Sequence, residues 1–123
     1  MKRNILLITS VVLMASAIAQ TGRAEFIAQM TGAGKGKAVW KTRDSATQMQ
    51  GELQIEGERM AKNIAVKVEI AGYSWNSNTD ALGRFRIVQR FNTATRPNIA
   101  VGTAAVVKNS AGATLMSGSF AVK

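Results

Sequence analysis

The stretch that decides the fold is residues 64–91, which read Ile-Ala-Val-Lys-Val-Glu-Ile-Ala-Gly-Tyr-Ser-Trp-Asn-Ser-Asn-Thr-Asp-Ala-Leu-Gly-Arg-Phe-Arg-Ile-Val-Gln-Arg-Phe. In the first arm, residues 64–72, the large apolar residues occupy even positions with charged residues between them. In the second arm, residues 81–91, the large apolar residues Phe85, Ile87 and Phe91 occupy odd positions, and the arginines occupy even positions. Alternation with a period of two is typical of a strand with one face on a core and one in water. The sequence therefore predicts two half-buried strands, paired as an antiparallel hairpin, with core residues Ile64, Val66, Val68, Ile70, Phe85, Ile87 and Phe91.

The remainder of the chain after residue 24 carries similar patterns. About seven strand candidates recur at intervals of roughly 8–14 residues, with turn residues between them and no sustained 3.6-residue pattern. One of these candidates spans residues 99–108. This spacing predicts one all-β domain over residues 25–123, folded as a single antiparallel β-sandwich of the Ig-like kind. A small barrel is the alternative architecture.

Residues 1–19 have the composition of a signal peptide. A basic start is followed by an apolar run over residues 5–18, which is the length of a signal h-region and short for a membrane span. Cleavage is expected after Ala19, with Ala17 and Ala24 as other sites, and an uncleaved N-terminal anchor is the alternative interpretation. We therefore expect an exported bacterial protein, periplasmic or extracellular, whose mature chain has no membrane span.

The composition excludes several classes of enzyme. Among its 123 residues the chain has no histidine and no cysteine. It therefore has no Ser-His-Asp or Cys-His nucleophile, no thiolate metal site and no disulfide. The motifs Ser-x-x-Lys and Gly-x-Ser-x-Gly are also absent. We expect a non-enzymatic protein with no catalytic residue, no metal and no cofactor.

One short segment resembles a known family. Thr79-Asp80-Ala81-Leu82-Gly83-Arg84-Phe85 is similar to the Thr-Asp-x-x-Gly-x-Phe signature of transthyretin-like and carboxypeptidase-regulatory-like β-sandwich modules. In those modules the glycine belongs to a tight turn and the phenylalanine begins a core strand. The resemblance covers seven residues, and it implies a non-catalytic extracytoplasmic sandwich.

Two segments have the residue types of a phosphate-binding loop and a calcium-binding loop, but they lack the residue spacing that such loops need. Residues 31–37 end in Gly-Lys-Gly-Lys, but Ala38 and a strand pattern follow where a phosphate loop needs Ser or Thr and a helix. Residues 76–80 carry oxygen-bearing side chains at alternate positions, but Gly83 comes two places late for a calcium loop. Both segments are interpreted as connections between strands, and a weak cation site is the alternative for residues 76–80.

The acidic residues are interpreted as partners of lysines. Glu52, Glu56 and Glu58 lie on the outward face of one predicted strand, and a hairpin turn at residues 44–47 would place Lys35 opposite Glu56. Such cross-strand pairs of opposite charge contribute roughly 0.2–1 kcal/mol each. A glycosidase-type acid pair among these carboxylates is the alternative interpretation.

The candidate binding residues are Arg84, Arg86 and Arg90, together with Tyr73 and Trp75. The arginines project from one face of one predicted strand with no acid among them, and the hairpin would place Lys67 and Glu69 nearby. They form either a docking face for a polyanion or a solvated face that prevents edge pairing. The two aromatic residues share a face if their segment is extended, as a sugar-stacking platform or as a hydrophobic lid.

Net charge suggests the kind of partner. The formal net charge is +9, and it falls to +7 when Lys2 and Arg3 leave with the leader. A positive surface favours contact with anionic polymers or acidic proteins. The sequence therefore predicts an interaction or structural module of the cell envelope or extracellular space. The alternative is a cationic binding module for an anionic glycan or other polyanion. Nucleic acid is not the expected partner, because the protein is expected to be exported and no RNA-binding aromatic signature accompanies the basic residues.

Overall fold

The fold is built from eight β-strands. The computed structural model describes residues 23–44, 49–92 and 94–123. The predicted leader and most of the turn predicted at residues 44–47 lie outside these described residues. The strands are β1 (Arg23–Gly32), β2 (Lys35–Asp44), β3 (Met49–Glu58), β4 (Ala65–Ile70), β5 (Tyr73–Asn78), β6 (Phe85–Phe91), β7 (Ala104–Asn109) and β8 (Thr114–Val122).

The strands form one antiparallel sheet in the order β5-β4-β7-β8-β1-β2-β3-β6. The sheet is rolled until it is nearly barrel-shaped, so its edge strands β5 and β6 approach each other. No hydrogen-bonded ladder joins these two edges among the described strands; we call the gap between them the seam. The all-β, antiparallel part of the predicted fold is confirmed, and the sandwich architecture stays a prediction.

The order of the strands around the roll follows a Greek-key pattern. Strands β4, β5 and β6 are consecutive in sequence, and β7 returns to pair with β4 on the side away from β5. The last strand, β8, pairs with the first, β1, so the two ends of the described chain lie side by side in the sheet. The spatial order 7-4-5-6 is that of a Greek key, here without the ladder between β5 and β6.

The predicted hairpin of the two arms is wrong. Strand β4 pairs with β5 and β7, whereas β6 pairs with β3. The reason is a tight turn at Ala71 and Gly72, whose φ angles of 52° and 83° are both positive, as a two-residue type I′ turn requires. The chain therefore turns back directly after Ile70, and residues 73–78 form a strand where a connection was predicted. This strand raises the number to eight, against about seven predicted.

The predicted sidedness of the two arms is confirmed. Val66, Val68 and Ile70 are buried on β4, and Phe85 and Ile87 are buried on β6. Inward-facing residues of all eight strands enclose one apolar interior, whose largest fully buried side chains are Trp40, Phe120, Met30, Leu53, Ile55, Ile70, Met116, Val68 and Val107.

Two connections supply further core residues. Met60, between β3 and β4, is 8% exposed, and Ile99, between β6 and β7, is 6% exposed. Ile99 lies in a segment predicted as strand, but strand β7 begins only at Ala104. Among the described residues there is no helix of the length and apolarity needed to cross a membrane.

Candidate functional site

Four neighbouring strands, β1, β2, β3 and β6, present a continuous face to the solvent, which we call the outer face. The register aligns its side chains in rows that run across the strands. Because opposite residues on antiparallel strands have close Cβ atoms, the residues of each row are direct neighbours. One charged row consists of Glu25, Lys41, Glu52 and Arg90, and a second row consists of Gln29, Lys37, Glu56 and Arg86.

An apolar row lies between the two charged rows. Ile27 is opposite Val39, Val39 is opposite Gln54, and Gln54 is opposite Val88. Val88, at the edge of the row, remains 42% exposed, whereas Val39, inside the row, is only 8% exposed. The sequence analysis did not select these residues, although Val88 breaks the alternation by following the inward-facing Ile87 directly.

The predicted arginines do lie on the solvent side, but each has an acidic partner. The Arg84 Nε–Asp80 Oδ2, Arg86 Nε–Glu56 Oε2 and Arg90 Nε–Glu52 Oε2 distances are 3.4, 3.6 and 3.1 Å. The arginine side chains are well exposed to solvent, so each pair contributes little to stability. Residues 84–91 contain no acid themselves, so the partners come from the preceding turn and from the neighbouring strand β3.

The neighbours predicted for the arginines lie elsewhere. Because β4 does not pair with β6, Lys67 and Glu69 form an ion pair with each other, and Lys108 Nζ lies 2.9 Å from Glu69 Oε1. The hydrogen bond from Lys108 lowers the pKa of Glu69. The register predicted for β2 and β3 is displaced by two residues, since Lys35 lies opposite Glu58 and Glu56 lies opposite Lys37.

One end of the outer face continues into an open groove of about 650 Å³. Four basic residues, Lys35, Lys37, Arg84 and Arg86, line it together with three acidic residues, Glu56, Glu58 and Asp80. Arg84 and Arg86 have acidic partners. Within the described part of the chain, Lys35 and Lys37 have no acidic oxygen within 4.0 Å, and Glu58 has no basic nitrogen within that distance. The two lysines are therefore the cations that this groove offers to an anion.

The turn before β6 holds Arg84 at the groove. The Asp80 Oδ1 atom accepts hydrogen bonds from the backbone N–H groups of Leu82 at 2.8 Å and Arg84 at 2.9 Å. The bond from Arg84, then that from Leu82, lowers the pKa of Asp80. Gly83 has a φ of 75°, and Phe85 begins β6 as a buried residue.

The two candidate aromatic residues face the seam, away from the arginine side chains. Tyr73 and Trp75 alternate with outward polar residues on β5, and their rings stack with centroids 6.0 Å apart. Both rings also contact Phe91 edge-on, at 5.8 and 6.3 Å. The structure therefore separates the five predicted site residues into an outward arginine group and an aromatic group at the seam.

No cluster of three or more acidic side chains that could hold a metal ion occurs within residues 23–44, 49–92 and 94–123. No protein-family profile and no curated protein matches the chain.

Proposed function

We propose that this chain is an exported, non-enzymatic interaction module of the cell envelope or extracellular space, and that it acts through its outer face. The observation that carries the proposal is the apolar row of Ile27, Val39 and Val88 between two rows of charged residues. An apolar centre with a polar rim is the usual arrangement of a protein–protein interface.

The interior and the acidic residues support a non-catalytic role. The strands turn apolar side chains to the interior, and Glu52, Glu56 and Asp80 already have arginine or backbone partners. The composition adds that neither imidazole nor thiol is available as a base or nucleophile. Contact by surface shape and charge is the activity that these residues can provide.

The test uses immobilised chain without the leader, residues 20–123, exposed to envelope and periplasmic extracts. Wild type and Val101→Glu should retain the same protein, and Val88→Glu should lose it. Val101 is a matched control, because it is exposed, at 64%, in the connection between β6 and β7. The purified protein should then bind the wild type directly. Equal retention by all three chains would contradict the proposal.

A second candidate function, binding of an anionic glycan or other polyanion, is favoured by the groove. Lys35 and Lys37 lie in it beside Arg84 and Arg86, so an extended anion could contact several cations at once. Charge attraction of this kind weakens as salt increases, because the Debye length is about 8 Å at physiological ionic strength. Arg90 does not line the groove and would contribute only through the surrounding field.

The groove candidate is tested by retention on a heparin column under a salt gradient. Replacing Lys35 and Lys37 by alanine should lower the eluting salt concentration more than replacing Arg59 and Lys62, two exposed cations that do not line the groove. An equal decrease in the two double variants would show that net charge alone causes retention and would contradict a specific groove site.

We also propose that the rolled sheet is related to Ig-like and transthyretin-like sandwiches. The support is the Greek-key order of the strands and the segment from Thr79 to Phe85. In that segment a glycine with positive φ precedes a phenylalanine that begins a core strand. In this proposal β5-β4-β7-β8 and β1-β2-β3-β6 correspond to the two layers of a sandwich.

A further inference from the structure

We infer that the partner of the outer face is a second copy of this chain, an inference that rests on the proposed function. The two copies would pack outer face to outer face, related by a two-fold axis that is parallel to the strands and passes between β2 and β3. Such an axis superposes β2 of one copy on β3 of the other, and β1 on β6. Sheets that pack face to face lie about 10 Å apart with strand directions within about 30° of each other.

This arrangement places opposite charges together at four positions of the patch, and at two others it pairs Gln29 with Arg86 and Val39 with Gln54. The register keeps each row in line, so a residue of β2 meets the residue of β3 that is its neighbour within one chain. Likewise, a residue of β1 meets the residue of β6 from its own row. The resulting pairs between copies are Lys35 with Glu58, Lys37 with Glu56, Lys41 with Glu52, Glu25 with Arg90 and Ile27 with Val88.

The charges also select this axis over the perpendicular one. A two-fold axis along the apolar row would superpose the two charged rows, bringing Lys37 onto Lys41 and Glu56 onto Glu52. Like charges placed together at an interface cost several kcal/mol, so that arrangement is disfavoured. Lys35, Lys37 and Glu58, which have no ion-pair partner among the described residues of one chain, gain partners in the favoured arrangement.

The size of the patch indicates how strongly the two copies should associate. Four strands about 4.8 Å apart, and about seven residues along each strand, give a patch of about 15 by 20 Å. This is smaller than the roughly 800 Å² per partner of a standard stable interface. We therefore expect a weak dimer whose population increases with protein concentration, measured by sedimentation equilibrium up to about 1 mM.

The decisive experiment mixes two charge-reversal variants. In Lys37→Glu, residues 37 and 56 are both acidic, and in Glu56→Lys they are both basic. Each variant alone should be monomeric because its interface pairs are like-charged. An equimolar mixture should form a heterodimer, since both pairs between the chains are then of opposite charge. Repair within one chain cannot explain this result, because the pair of neighbours within each chain remains like-charged.

The other outcomes are equally informative. A monomeric wild type at about 1 mM, or a mixture no more associated than its components, would overturn the inference. If either reversal does not fold by circular dichroism, Val88→Glu replaces it; this variant should be monomeric, whereas Val101→Glu should associate like wild type. A monomeric wild type that still loses a captured envelope protein through Val88→Glu would reject self-association and leave the proposed function intact.

Discussion

Thr79 is a buried polar residue, 3% exposed, that joins two connections of the molecule. Its Oγ1 hydroxyl donates a hydrogen bond to the carbonyl oxygen of Ala61 at 2.7 Å and accepts one from the N–H of Ile64 at 2.9 Å. The N–H of Thr79 also donates to the carbonyl oxygen of Ile64. One side chain thus satisfies two backbone groups at the entrance to β4.

Replacing Thr79 by valine should lower the free energy of unfolding by about 1–3 kcal/mol. The shape is nearly conserved, but the N–H of Ile64 and the carbonyl of Ala61 lose their partner, and an unsatisfied buried polar group costs this much. Urea unfolding measures the change. Thr79→Ser keeps the hydroxyl and should lose distinctly less. A loss in Thr79→Ser as large as or larger than that in Thr79→Val would contradict this prediction, because valine retains the methyl group and loses only the hydrogen bonds.

At the seam, the rolled sheet is held closed by side chains and not by a backbone ladder. Between β5 and β6 the described strands have no backbone ladder, and the rings of Tyr73 and Trp75 meet Phe91 across the gap. The Tyr73 hydroxyl donates a hydrogen bond to the carbonyl oxygen of Thr95 at 2.7 Å, which ties β5 to the connection after β6. Aromatic contacts contribute about 0.5–1.5 kcal/mol each beyond burial, so the ring of Phe91 holds much of the seam.

Phe91→Leu should therefore open the seam selectively. Leucine fills part of the space but lacks the edge-on contacts. Amide hydrogen exchange should accelerate at residues 73–78 of β5 and change little in β1, which is paired on both sides, because exchange by local opening depends on local stability. Uniform acceleration in β5 and β1 would show instead that the variant lowers global stability.

The limits of prediction from sequence are clearest in β4, β5 and β6. Alternation shows correctly which side chains of β4 and β6 are buried, because that property depends on local geometry. Pairing depends on distant residues, so the ladder between β3 and β6 was not predictable from either segment. Strand β5 was missed because its outward residues Ser74, Asn76 and Asn78 are turn formers. The turn that precedes it is shown by the positive φ angles of Ala71 and Gly72.

In the candidate site, too, local properties were predictable from the sequence and long-range strand pairing was not. The exposure of the arginines was predictable, because they occupy the even positions of a segment whose buried residues occupy odd positions. Their acidic partners were not, because those partners follow from the pairing of β6 with β3. The apolar row was missed for the same reason, since Ile27, Val39 and Val88 are far apart in sequence and meet only through three strand registers.

At the scale of the whole molecule, the absence of histidine determines how stability responds to pH. The chain has no imidazole or thiol to titrate near neutrality. Between about pH 5 and pH 8, the free energy of unfolding should therefore be nearly constant. Below that range, carboxylates with lowered pKa values control stability, and Asp80 and Glu69 are the two among the described residues.

The direction of the acid effect follows from the lowered pKa of Asp80. Its folded pKa lies below the ordinary value of 3.8 because the charged form accepts the N–H groups of Arg84 and Leu82. The stabilising effect is therefore fully present above pH 3.8 and is lost as the pH falls through the folded pKa.

Asp80→Asn keeps an oxygen that can accept both hydrogen bonds but has no charge. Urea unfolding should therefore show it less stable than wild type at pH 7 and nearly equal at about pH 2. Glu58→Gln, at a carboxylate without an ion-pair partner among the described residues, should show a much smaller difference throughout. A difference for Asp80→Asn that does not change with pH would mean that the shape of the turn, and not the charge on Asp80, causes the effect.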